Sequence, residues 1–173
     1  MTDLILVCLD FRECNLLPSI KSSISELLSS KIILRKDKIE LEKYFNPERG
    51  QYNAGEILSE FDINNTTNLT ILITSVDLYI PIFTYVFGLA KLNGSIAIVS
   101  SYRLRPEFYG LPPDDHLLKR RLIKEVIHEL GHLLNLRHCS DFRCVMTSSN
   151  TADDLDIKGM QFCDSCLNRL NLG

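Results

Sequence analysis

A mixed α/β fold is what this 173-residue sequence predicts, and three features predict it. Apolar runs and helical patterns alternate through the first hundred residues. The apolar runs are uninterrupted, as strands covered on both faces are. One long amphipathic helix comes next, and beyond it the periodicity stops. The length suits one domain, at the usual ~100–200 residues per domain, with a sheet-and-helix part over 1–134 and a Cys-rich part over 135–173. Eight Gly, six Pro, 45% apolar and 24% charged residues exclude a disordered or fibrous chain.

Taken in order, Leu4–Leu9 is the first buried strand. Leu17, Ile20, Ile24, Leu27 and Leu28 form a helical stripe over Pro18 to Leu28. Lys31–Leu34 reads as a second strand, and Asn53 to Phe61 as a short helix with Ile57, Leu58 and Phe61 apolar. Leu69–Ser75 and Ser95–Ser101 are two more buried strands. Between them Ile82–Ala90 is β-branched and aromatic, and its Gly88 marks a bulge or a close backbone approach. Pro112 and Pro113 end the next loop, where Asp114 and Asp115 supply a cap and favourable first-turn charge. Leu122, Ile123, Val126, Ile127, Leu130, Leu133 and Leu134 then define the long helix, which stops near Asn135. The remaining residues are polar and irregular, too thinly apolar to hold their shape by burial alone.

The net charge of −3 offers no electrostatic case for nucleic acid or an anionic membrane. The opening MTDLILVCLDF has a short apolar run behind an acidic Asp3 rather than a basic segment, so no secretory leader is expected. The longest apolar stretch, Val76 to Leu92, is broken by Asp77, Pro81 and Gly88, so no membrane span is expected. These two absences point to a cytoplasmic setting, in which clustered Cys bind metal more often than they form disulfides. Cys8, in the first strand, reads as an inert core thiol, and Cys14 as a free one. His116, at the start of the long helix, reads as solvated.

Of the six Cys and four His, seven lie between His128 and Cys166. His128-Glu129-Leu130-Gly131-His132 is an H-E-x-x-H pattern on the long helix. Residues four apart point the same way, so both imidazoles share a face. That face lies opposite the apolar stripe and is expected to look into a cleft. Glu129 sits ~100° round the helix, beside the ion rather than on it. This is the donor set of a hydrolytic zinc: ligands, an open position for water, and an adjacent base. His138 is available as a third ligand only if the chain turns sharply, since continuous helix would carry it ~9 Å past His132. Asn135, the best residue after Gly for a left-handed turn, stands where the turn is needed. The competing reading is a solvated helix face with scattered His.

Cys139 and Cys144 are separated by four residues, and Cys163 and Cys166 by two. Two such pairs read as a closed tetrahedral Cys₄ zinc site. It would order a tail that apolar burial cannot. Unrelated reduced thiols are the alternative.

The run His128-Glu129-x-x-His132-x-x-Asn135-x-x-His138-Cys139-x₄-Cys144-x-Met146, followed by Cys163-x-x-Cys166, resembles the archaemetzincin signature. That family is a branch of the metzincin zinc metallopeptidases with an added Cys₄ zinc. The resemblance extends through Arg49–Tyr52, Asp77–Pro81 and Val86–Ala90, and so covers nearly the whole chain. It implies a metzincin-like fold: a twisted, mostly parallel sheet, an antiparallel edge strand over the cleft, an active-site helix and a zinc-stabilised C-terminal subdomain. It also implies that Tyr85, Val86, Phe87, Gly88, Leu89 and Ala90 bind extended peptide by strand addition. Met146 would be the Met-turn residue beneath the imidazoles. Metzincins usually have Gly where this chain has Asn135, and some place a Tyr two positions after the Met, where this chain has Ser148.

The expected function is thus a cytoplasmic, monomeric zinc peptidase with two Zn²⁺ per chain, one catalytic and one structural. Its partner is a peptide or protein substrate, with no nucleic acid and no membrane. The alternative is a zinc-stabilised protein that binds extended peptides with little or latent proteolysis; the intact Glu129 argues against it, since a binder needs no base. A Cys₄ module for nucleic acid is disfavoured by the tail, whose only basic residues between Cys139 and Cys166 are Arg143 and Lys158 amid several Asp. Tyr102, Arg103 and Arg105 read equally well as cleft or as surface. Arg49, Tyr52 and Asp77 have no physical role assignable from sequence beyond packing or loop bonding.

Overall fold

The computed structural model describes residues 3–28, 31–62, 68–91 and 94–170. The strands are β1 (Leu4–Leu9), β2 (Ile32–Asp37), β3 (Phe45–Asn46), β4 (Gln51–Asn53), β5 (Leu69–Thr74), β6 (Leu78–Ile80), β7 (Phe83–Val86), β8 (Gly88–Ala90) and β9 (Ile96–Ser100). The helices are α1 (Leu17–Ser25), α2 (Ala54–Asp62), α3 (Asp115–Leu133), α4 (Ala152–Ile157) and α5 (Asp164–Leu170). A five-stranded sheet runs in the order β2-β1-β5-β9-β8, and a four-stranded one in the order β3-β4-β6-β7. In the larger sheet β2, β1, β5 and β9 are parallel, and β8 alone is antiparallel at the edge. The mixed α/β fold with an antiparallel edge strand is as expected. No helix among the described residues is long and apolar enough to cross a membrane.

The uninterrupted apolar runs of β1, β5 and β9 have the predicted cause, burial on both faces. Leu4, Leu6, Cys8, Ile71, Ile73, Ala97 and Val99 join the core against α1 and α3. Their alternates Ile5, Val7, Leu9, Leu72, Ile96 and Ile98 pack with Ile57 and Leu58 of α2 and with Leu78 of β6. The second strand runs beyond Leu34, because Arg35, Lys36 and Asp37 keep pairing with β1 along a solvent-facing edge. The segment Ile82–Ala90 is two strands rather than one: β7 pairs with β6 in the smaller sheet, and β8 crosses to the larger.

Two expectations about cysteines and loops are corrected. Cys8 is buried, but it is joined to Cys14 by a disulfide. Asp10 at the end of β1 adopts φ 44, turning the chain so that the two Cα atoms lie 6.4 Å apart. Sequence reading missed this pair because the turn carries no Gly to announce it. Arg105 is neither cleft nor free surface: its Nε donates to Glu13 Oε1 at 2.7 Å, while Ser75 and Ser101 donate to Oε2. Burial raises the Glu13 carboxyl, but Arg105 and the hydroxyls outweigh it and hold it below the ordinary 4.5.

The long helix α3 begins where Asp114 accepts a hydrogen bond from the Leu117 amide at 2.9 Å. It ends in a Schellman turn. The Asn135 amide donates to His132 O at 2.9 Å and the Leu136 amide to Gly131 O at 2.8 Å, with Asn135 at φ 68. Asn occupies the left-handed region at less cost than other residues bearing a Cβ. Asn135→Gly should therefore stay within about 1 kcal/mol of the parent in thermal unfolding. Asn135→Val should lose about 1–2 kcal/mol and weaken zinc retention in a chelator competition.

Candidate metal centres

The turn at Asn135 brings His138 back against the helix. The ligand atoms of His128, His132 and His138 lie within 4.8 Å of one another, with ring centroids 4.7 to 5.2 Å apart. His128 Nδ1 lies 2.8 Å from Val145 O, and His132 Nδ1 lies 2.8 Å from Leu136 O. A carbonyl can only accept, so each Nδ1 carries the proton and each Nε2 presents a lone pair. Those two Nε2 atoms face each other at 3.2 Å. Lone pairs that close repel unless a cation lies between them. Two nitrogens ~2.05 Å from a tetrahedral zinc are about 3.3 Å apart, so the spacing fits. Burial, and then the neighbouring Lys158 ammonium, hold His128 well below the ordinary 6.5, and burial lowers His132 and His138 too. All three imidazoles are thereby kept neutral, as ligands must be.

Glu129 is buried on the next position of the helix, and its Oε2 has no hydrogen-bond partner. Burial, and then the Glu125 carboxylate one turn earlier, raise it well above the usual carboxylate range. Gly88 sits directly over it. A Cβ on Gly88 would come within 2.8 Å of Glu129 Cγ and Oε1, so this is the close approach that the sequence signalled. Tyr85, Val86, Phe87, Gly88, Leu89 and Ala90 line one cleft together with His128, Glu129, His132 and His138. Ser148, Ser149 and Asn150 line it as well.

The polar side of α3 is not solvated, as a wheel alone would suggest. Arg121, Lys124, Glu125, His128 and Glu129 are all buried. The tail supplies partners for Arg121, Lys124 and His128. Arg121 pairs with Asp156 at 2.6 Å and donates to Leu104 O; Lys124 Nζ donates to Leu155 O at 2.6 Å. Lys158, which sequence reading passed over, is 3% exposed, with Nζ 3.1 Å from Thr147 O and 3.3 Å from His128 Nδ1. The tail itself is less irregular than expected. Thr151 and Asp154 form a capping box that starts α4, a Thr-x-x-Asp signal legible in the sequence.

The four Cys converge as anticipated. Cys139 Sγ and Cys163 Sγ are 3.7 Å apart, and Cys144 Sγ and Cys166 Sγ 3.8 Å. Four sulfurs ~2.3 Å from a tetrahedral zinc are separated by about 3.8 Å, whereas a disulfide needs ~2.05 Å. The amides of Cys163 and Asp141 point at Cys144 Sγ and Cys139 Sγ, at 3.3 and 3.4 Å. The turn Cys144–Thr147 joins the two clusters: Val145 O takes the His128 proton, and Met146 O accepts the Cys139 amide at 3.0 Å.

Against this geometry stand the comparisons with known proteins. A model of peptidase family M54 matches residues 10–172. The archaemetzincin of Methanocaldococcus jannaschii is 42% identical over 155 residues, covering 90% of this chain and 85% of its own. The solved zinc-dependent peptidase from Methanocorpusculum labreanum superposes with a TM-score of 0.88 at 33% identity, over 96% of this chain and all of the other. The archaemetzincin of Methanopyrus kandleri gives 0.83 at 32% identity, over 99% and 94%.

Met146 is fully buried against the helix backbone between the two imidazoles. A Cβ on Gly131 would lie 2.3 Å from Met146 Sδ and 3.1 Å from Phe162 Cε1. In an unobstructed helix Gly→Ala gains about 1 kcal/mol. Here the clash should reverse the sign: Gly131→Ala is expected to lose about 1–3 kcal/mol by overpacking, read as a lower denaturation midpoint at unchanged slope.

Proposed function

We propose that this chain, which belongs to peptidase family M54 and is a zinc metallopeptidase, hydrolyses peptide bonds with Glu129 as general base and His128, His132 and His138 as the ligands of the catalytic Zn²⁺. Cys139, Cys144, Cys163 and Cys166 hold a second, structural Zn²⁺, giving two per chain. Four thiolates leave no position for water, so this second site stabilises the tail and takes no part in the reaction. When bound at the imidazoles, Zn²⁺ supplies Lewis acidity, polarising the scissile carbonyl and acidifying a water molecule.

The protein's own residues do the rest. Extended peptide adds to the free edge of β8, where Gly88 lets its backbone pass close over Glu129. Glu129 accepts the proton of the attacking water and returns it to the leaving amine. Burial raises its affinity for protons above that of an ordinary carboxylate, which favours its taking up the proton. Met146 packs under the imidazoles without acting as a ligand.

The observation that carries this reading is the unpartnered, buried Glu129 Oε2 in a residue that lines the same cleft as two Nε2 lone pairs 3.2 Å apart. Glu129→Gln should lower turnover of a peptide substrate by ~10²–10⁴-fold, while metal analysis still finds two zincs per chain. Wild-type turnover in that variant would remove Glu129 from its role. Cys166→Ser should carry one zinc instead of two and unfold at lower temperature; an unchanged stoichiometry would count against the second site.

A further inference from the structure

The cleft is bridged at one end. Tyr85 Oη, on the β7 rim, donates to Asn150 O at 2.7 Å, and both residues line the cleft. Each end of this bridge is braced. The Arg103 guanidinium stacks on the Tyr85 ring at 4.2 Å, and Phe87 meets it edge-on at 5.5 Å. Arg103 is itself held by two 2.7 Å bonds to Asp77, which also accepts from Gln51. Arg49 donates to Phe83 O and Thr84 O, the two carbonyls just before Tyr85, and lies over the Tyr79 ring. At the other end of the bridge, the Asn150 and Thr151 amides both donate to Asp154 Oδ2 at 2.9 Å. A single exposed hydrogen bond is worth little, but neither partner of this one is free to swing away.

From this we infer that Tyr85 determines specificity by limiting how far a substrate can extend on its side of the scissile bond. The inference rests on the peptidase reading above. The free edge of β8 spans Gly88–Ala90, with Gly88 over Glu129. A strand laid along it runs toward Ala90 one way and toward Tyr85 the other. In the other direction it meets the Tyr85 bridge two to three residues on, at ~3.3 Å per residue. Room therefore exists for about two substrate residues beyond the cut on the Tyr85 side. The protein takes peptides that end there and discriminates against chains that continue through.

The test is a peptide series lengthened one residue at a time at either end, cut by zinc-loaded protein. For the wild type, kcat/KM should fall at least tenfold once extension at the Tyr85 end passes about two residues. Tyr85→Ala should abolish that fall, and Tyr85→Phe, which keeps the stack on Arg103 but loses the bridge, should reduce it. Absence of that fall, or a length penalty identical in all three proteins, overturns the inference. The same series is titrated by fluorescence anisotropy against Glu129→Gln protein with and without Tyr85→Ala. A length penalty in affinity that vanishes with Tyr85→Ala supports the bridge even if no peptide is cut, an outcome that would sink the peptidase reading alone.

Discussion

The metal centres depend on how the polar stripe of α3 is covered. Arg121, Lys124, Glu125, His128 and Glu129 recur at helical spacing, and all are buried. A buried polar group without a partner costs about 1–3 kcal/mol, so such a stripe is tolerable only under a surface that answers it. The tail answers Arg121, Lys124 and His128 with three backbone carbonyls and one carboxylate: Val145 O, Leu155 O, Asp156 O and the Asp156 side chain. These bonds also orient the chemistry. Because Val145 O and Leu136 O take the Nδ1 protons, the imidazoles can turn only Nε2 inward, which fixes tautomer and rotamer together. The tail in turn buries Leu136, Val145, Met146, Leu155 and Phe162 in the core and brings its four Cys together. The His and Cys clusters are thus interlocked through one turn, Cys144–Thr147, which contacts both.

Much of this was legible in the sequence, and the parts that were not share a cause. The β1, β5 and β9 runs, the cap at Asp114 and the turn at Asn135 are local signals, and each stands where the pattern put it. The two ligand sets were readable because metal coordination demands particular side chains at particular spacings. Lys158 and Glu125 were not readable, since a lone Lys in a polar tail and a Glu on a helix look solvated until the tail folds over them. The division of Ile82–Ala90 into two strands escaped because β7 and β8 differ in partner, not in composition. The Cys8–Cys14 disulfide depends on a positive φ at Asp10, which a β-to-helix loop does not advertise. Asp77 and Arg49 had no role in the sequence because what they hold, Arg103 and the β7 carbonyls, lies 26 and 34 residues away.

The electrostatics of the site come from the same burial. Glu125, Glu129 and Lys158 bring two potential negative charges and one positive into a region from which water is largely excluded. Burial raises both carboxyls, and the Lys158 ammonium opposes that rise. Burial likewise lowers Lys158, and the carboxylates oppose it. Three neutral imidazoles add no charge to offset the surplus acid. A divalent cation is the group that would balance the set. Lys158 then has a second consequence: standing 3.3 Å from His128 Nδ1, it disfavours imidazolium at a ligand that must stay neutral.

On the proposed mechanism, a dry site also explains why the base would be a glutamate over which a glycine must pass. In water a carboxylate is too weak a base to take a proton from water at useful rates, and its usual pKa lies far below neutrality. Burial raises Glu129 well above the usual carboxylate range, which strengthens it as a proton acceptor. That desolvation needs a lid, and the lid here is the backbone of β8 at Gly88. Any side chain at that position would collide with Glu129. On that reading, the strand that covers Glu129 is also the one whose free edge would take the substrate. A peptide bound there would deepen the burial on which the base depends, which would link recognition of an extended backbone to the chemistry beneath it.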